Sequence, residues 1–223
     1  MYDWINFQKN PSDNENPKKS QFLLADKKYK LSLSYLMKCE SLHRQHNDLI
    51  CDVDAQEIYD LRGMIHADMG ALYQAAKNHE MKEFQGKNFI PEKQFDRALK
   101  SWKTCLDLAI ARVGRKSRLN GIFLTKIGSL VFWPQEKYGK ALRYYRDALE
   151  AFRSVRKDFD FLVEDEYADA VHNVGMCKMA IGNQFFKESM QHFEEYRDVA
   201  KKRGRNSPKY AQALHKIGTL FVM

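Results

Sequence analysis

One helical pattern is written four times along this chain, and it constrains the fold more than any other feature. Phe95, Ala98, Leu99, Trp102 and Cys105 recur as Tyr138, Ala141, Leu142, Tyr145 and Ala148. They recur again as Phe186, Ser189, Met190, Phe193 and Tyr196, and earlier as Tyr29, Ser32, Leu33, Leu36 and Cys39. The offsets are 0, 3, 4, 7 and 10 in every copy, which sets all five side chains on one face of an α-helix. Self-similarity at a spacing of about 40 to 50 residues marks a stacked array of helical units, and such arrays present surfaces rather than run reactions.

A second pattern alternates with the first. Met69-Gly70-Ala71-Leu72, Ile127-Gly128-Ser129-Leu130, Val174-Gly175-Met176-Cys177 and Ile217-Gly218-Thr219-Leu220 mark "A" helices between "B" helices expected near 29–46, 94–113, 138–156 and 184–203. Glycine inside a helix costs roughly 0.5–1 kcal/mol relative to alanine. Its recurrence predicts a neighbouring helix that approaches too closely to admit a Cβ. Three stretches predict A-helix starts. Asp54 to Glu57 resembles a capping box, Glu164, Asp165 and Glu166 suit a positive helix N-terminus, and Ser207-Pro208 fits an N-cap followed by proline. From Gly70 to Ala98 is 28 residues, whereas Gly128 to Ala141 takes 13 and Gly175 to Ser189 takes 14. Residues 77–90 therefore read as an insertion, either a binding loop or a tolerated one.

The domain boundaries follow from composition. Residues 1–20 read as a disordered lead-in, polar and carrying two prolines over 8–20, with Tyr2, Trp4 and Phe7 either a small anchor on the first helix or the remnant of an upstream element. Residues 21–223 form one helical-repeat domain of the all-α class. It opens with a B helix lacking its A helix and closes on an A helix, Tyr210 to Met223, lacking its B helix. Solenoid ends normally need polar caps. The expectation is a fragment of a longer array, or apolar ends that self-associate by packing on another copy.

Lys plus Arg is 37 against 29 for Asp plus Glu, a net charge of +8, which suits acidic partners, anionic membrane surfaces or nucleic acid, and equally a soluble protein with a moderately basic surface. Cys39, Cys51, Cys105 and Cys177 form no CxxC pair, and Cys39 and Cys105 share a repeat position expected to be buried. Free buried thiols suit a reducing compartment, so a cytoplasmic or nuclear location is expected. No stretch approaches 18 apolar residues, so no membrane span is expected.

Two antiparallel helices per unit, glycine in helix A and an aromatic-x-x-Ala-Leu core in helix B resemble the tetratricopeptide repeat (TPR). Tyr167 to Gly175, continued by Gly182 and Phe186 to Met190, carries the likeness best, and Ser207 to Gly218 repeats its opening. The likeness covers residues 29–223, with Lys178 standing where an aromatic is usual. The spacing exceeds the family's usual length of about 34 and is similar to the long-helix subclass of kinesin light chains, Pins-type adaptors and Tonsoku-like proteins. The resemblance implies a right-handed α-solenoid of antiparallel helix pairs, acting as a scaffold or adaptor that binds a protein segment in a concave groove lined by A helices. It places the residue two before each A-helix glycine on the groove face: Asp68, Lys126, Asn173 and Lys216. Helical spacing adds Ala71, Ser129, Met176 and Thr219, and also Met64, Ile122, Asp169 and Gln212. Asn173 is then the reader of the partner's backbone, with Lys126 and Lys216 as contacts for an acidic peptide or helix.

A basic edge is expected on the outside, from Arg112, Arg115, Lys116 and Arg118, then Arg153, Arg156 and Lys157, then Lys201, Lys202, Arg203 and Arg205. Cations at helix C-termini complement the dipole. Aligned by stacking, they also offer nucleic acid an electrostatic contact, the second reading of the chain. Cys39, His43, His46 and Cys51 do not read as a zinc site, because structural sites use tighter paired spacings. His172 and His215 share a repeat position and suit packing or the groove edge. No phosphate loop, nucleophile elbow or HExxH is present, so neither catalysis, a metal nor a cofactor is expected.

Overall fold

Each B-type pattern lies within a helix, and in three of the four copies most of its residues are buried, with Leu99, Tyr138, Phe186 and Met190 half-buried. The computed structural model describes residues 17–45, 52–78, 91–156 and 160–222. Its helices are α1 (Pro17–Gln45), α2 (Asp52–Asn78), α3 (Pro91–Val113), α4 (Arg118–Ile127), α5 (Tyr138–Arg156), α6 (Asp160–Ile181), α7 (Phe186–Arg203) and α8 (Pro208–Val222). A π-helical turn, Gly128–Phe132, extends α4, and a 3₁₀ turn, Asn183–Phe185, leads into α7. There is no strand among the described residues, and the helices pack mainly against their neighbours in chain order.

The aromatic-to-glycine contact holds the hairpins together. A Cβ at Gly128 would lie 2.7 Å from the Tyr145 ring, and one at Gly175 would lie 2.9 Å from the Phe193 ring. In the first hairpin the residue at offset 7, Trp102, covers Gly63 rather than Gly70, at 2.7 Å. Gly63 is thus the counterpart of Gly128 and Gly175, and Gly70 lies two turns further on, against Phe95. The same two-turn spacing pairs Gly121 with Phe152. Gly218, on α8, faces open space.

One continuous core runs from Ala67 on α2 to Ala213 on α8, with Trp102, Tyr145, Phe152 and Tyr196 among its large buried side chains. A separate small core of Phe22, Met69 and Tyr73 holds α1 to α2. Tyr73 donates to Asp26 at 2.5 Å, and Arg62 of α2 pairs with Glu40 at 2.6 Å.

Several sequence expectations shift. α1 begins at Pro17, so residues read as lead-in are helical, and Pro17 takes the first helical position where its missing N–H costs nothing. Residues 1–16, including Tyr2, Trp4 and Phe7, lie outside the described residues, as do 79–90 of the expected insertion. Asp54 sits inside α2, not before it. Ser207 does cap α8, its hydroxyl accepting from the Tyr210 amide at 3.2 Å. Cys39, expected to be buried, is exposed among the described residues.

Gly128→Ala should destabilise the protein by about 1–3 kcal/mol, since overpacking against Tyr145 outweighs the gain in helix propensity. Gly218→Ala should instead stabilise it by about 0.5–1 kcal/mol. Urea unfolding of both variants tests the pair, and a destabilised Gly218→Ala would contradict it.

Candidate functional site on the A-helix face

The A helices carry a row of half-exposed polar side chains. Asn173 and Met176 on α6, Ser129 after α4, and Lys216 and Thr219 on α8 are all half-buried. The Ser129 and Thr219 hydroxyls donate to the Thr125 and His215 carbonyls, each at 2.9 Å. Lys216 has no carboxylate partner among the described residues. Behind Asn173, His172 packs on the Tyr196 and Phe193 rings at 5.0 and 5.9 Å. Burial lowers its pKa, which keeps the imidazole neutral. His215, at the same repeat position, is exposed.

Other residues expected on this face are engaged elsewhere. Lys126 reaches across to α2, donating to both Asp60 carboxylate oxygens at 2.8 and 2.5 Å, while Trp102 donates to Asp60 at 2.8 Å. The Lys126 charge is therefore neutralised within the fold. Asp169 pairs with Lys209 at 2.6 Å, and Gln212 accepts from the Tyr196 hydroxyl at 2.9 Å. Met64 and Ile122 pack against the core. Asp68 and Ala71 are exposed on α2. Asp68 stands near Tyr29 of α1, whose hydroxyl is pushed up to about 12 by burial and by that carboxylate. With Gly63 as the reference glycine, Asp68 no longer shares the register of Lys126, Asn173 and Lys216.

The expected basic edge is largely paired. Glu164, Asp165 and Glu166 do not sit at the helix start, because α6 begins at Asp160. One turn in, they receive cations from four other helices. Glu164 binds Arg156 of α5 at 2.6 Å and Lys202 of α7 at 3.9 Å. Asp165 binds Arg203 of α7 at 2.8 Å and Lys209 of α8 at 3.5 Å, and Glu166 binds Arg118 of α4 through its Nε at 3.0 Å. The Arg156 guanidinium also lies 4.3 Å over the Tyr167 ring. Lys116 pairs with Glu150 at 3.4 Å, both well exposed. Arg115, Lys201, Arg112 and Arg205 are exposed, and Lys157 lies outside the described residues. Beside this strip, α6, α7 and α8 enclose a cleft of about 290 Å³, lined by Glu164, Ala168, Val199, Arg203 and Pro208 among others.

A second polar network joins α5, α6 and α7. Glu195 accepts from the Tyr167 hydroxyl and from Arg153 at 3.4 Å, with His192 3.8 Å away. His192, Tyr167 and Arg153 together hold the Glu195 carboxyl down at about 2. Lys178 is buried. Its ammonium donates to Glu188 at 2.5 Å and lies 3.2 Å from His192 Nε2. The Cys105 and Cys177 thiols are pushed up to about 12, chiefly by burial. Such thiols stay protonated at neutral pH and are poor nucleophiles. Of the residues weighed for zinc, Cys39 is exposed, while His46 and Cys51 lie outside the described residues.

No protein-family model matches the chain, and no curated protein matches it. No helix among the described residues is long and apolar enough to cross a membrane.

Glu195 fixes the sign of one pH effect. Its folded pKa of about 2 lies below the ordinary 4.5, so the stabilisation is complete above the unfolded value and is lost as pH falls through the folded one. Unfolding free energy should therefore drop from about pH 4.5 towards about pH 2, and Glu195→Gln should flatten that drop. An unchanged slope in the variant would show that Glu195 is not its source.

Proposed function

We propose that this chain is a non-catalytic scaffold of tetratricopeptide type. In this reading the A helices line the concave side of a right-handed solenoid, and a segment of a partner protein, extended or helical and acidic, lies along α6 and α8. The observation that carries the proposal is the row on those helices. Asn173, Met176, Lys216 and Thr219 are half-exposed in repeat register, and Lys216 keeps a charge that no carboxylate among the described residues answers. An asparagine amide both donates and accepts, so it can bind a partner's backbone whatever its side chains. Lys216 then supplies the preference for acidic sequences. Lys126, bound to Asp60, orders α2 against α4 instead of reading the partner.

The buried, protonated thiols and the neutral, stacked His172 support a binding role over catalysis. The ion pairs along α6 weigh against the nucleic-acid reading, because a phosphate backbone would have to compete with Glu164, Asp165 and Glu166 for the same cations.

Affinity capture from nuclease-treated lysate tests the proposal, comparing wild type with Asn173→Ala/Lys216→Glu. A protein partner should survive nuclease, and its affinity should fall at least tenfold in the variant, a loss of about 1.4 kcal/mol or more. Capture that nuclease abolishes, or that the variant leaves intact, would move the site away from this face.

A further inference from the structure

We propose that the cleft between α6, α7 and α8 binds a small, neutral aromatic molecule of two fused rings carrying one N–H donor, of the indole class. The site is separate from the row of Asn173 and Lys216 and does not depend on what lies along it.

Two independent observations carry the inference, an apolar cleft and an unanswered acceptor in its lining. Ala168 of α6 and Val199 and Ala200 of α7 are buried and form the floor, and Pro208 of α8 adds an exposed apolar wall. The charged lining residues Asp165, Arg203 and Lys209 are less buried and stand at the mouth. There they answer one another, Asp165 binding Arg203 at 2.8 Å and Lys209 at 3.5 Å. Glu164 also lines the cleft, its side chain only 12% exposed. Its Oε1 accepts from the Arg156 Nε and Nη2 at 3.0 and 2.6 Å. Its Oε2 is buried and has no hydrogen-bond partner among the described residues. A buried carboxylate oxygen without a donor is costly, so a ligand that brings one is favoured.

Size and charge select the class of ligand. An apolar cavity of about 150 Å³ holds one benzene ring. At about 290 Å³ this cleft has room for two fused rings. An anion would be repelled by Glu164, and a cation would compete with Arg156 and Lys202, which already face that carboxylate. A neutral indole avoids both conflicts, because it donates one N–H and accepts nothing. The face of its ring also suits the Arg203 guanidinium at the mouth. A free molecule fits better than a partner's side chain, since a polypeptide backbone at the mouth would have to displace the Asp165 ion pairs.

The test is a titration of the isotope-labelled full chain with indole, N-methylindole and N-acetyl-tryptophanamide, read by amide chemical shifts. Indole should move the amides of Ala168, Val199, Ala200 and Lys209 saturably. N-methylindole, which lacks the donor, should bind about tenfold more weakly, the loss of one hydrogen bond to a carboxylate. Glu164→Ala should abolish that preference, and the two-probe comparison on wild type decides the donor without any substitution. No saturable shift with indole into the millimolar range would overturn the inference, as would shifts centred away from the cleft. Equal binding of indole and N-methylindole would overturn it too. N-acetyl-tryptophanamide binding as tightly as indole would overturn the free-molecule assignment in favour of a protein side chain.

Discussion

The contact between a ring and a helical glycine sets the geometry of the α2–α3, α4–α5 and α6–α7 hairpins. A glycine in mid-helix is a local loss, and an aromatic needs a large apolar surface to cover it. Together they resolve both problems, because the missing Cβ lets the ring approach the backbone closely. Trp102 on Gly63, Tyr145 on Gly128 and Phe193 on Gly175 repeat this contact along the stack. The continuous core then follows, since each B helix fixed in this way offers its remaining apolar face to the next A helix.

Polar contacts give the stack its second set of restraints. Asp60 joins α2, α3 and α4 through Lys126 and Trp102, and the acids of α6 gather cations from α4, α5, α7 and α8. Exposed pairs of this kind contribute little singly, about 0–1 kcal/mol. Their effect is on register: each links helices that a sliding hairpin would separate. They also decide which charges remain for partners, and so turn a chain of net charge +8 into one whose outer edge is partly neutral.

Much of this was legible in the sequence because it follows from spacing. The helices, their alternation and the close approach at Gly70, Gly128 and Gly175 follow from offsets along one face, whereas Gly218, of the same pattern, faces open space. The first hairpin was misaligned because α2 carries two glycines, Gly63 and Gly70, and either satisfies the pattern. Setting that pair against Gly121 and Gly128 aligns Gly70 with Gly128 and so reinforces the error, and only the packing of Trp102 on Gly63 separates the two alignments. The ion pairs were not legible, because Asp60 and Lys126 lie far apart in the chain and no local rule joins them. The helix start before Glu164 was misplaced for a related reason: carboxylates suit an N-terminus and an interhelical salt bridge equally well, and only tertiary structure separates the two. Lys178 was recognisable as a departure, but Glu188 and His192, which make it tolerable, lay on the next helix.

The small core beneath α1 has a consequence for dynamics. Phe22, Met69 and Tyr73 form a cluster of their own, apart from the one that unites α2 to α8. Cooperative opening follows such boundaries, so α1 has its own free energy of release, set by that cluster with the Asp26–Tyr73 and Glu40–Arg62 contacts. Amide protons of α1 would then exchange on a faster tier than those of α5 and α6, without global unfolding. The helix that begins the stack is in this sense a separate foldon, docked onto a body that holds together without it.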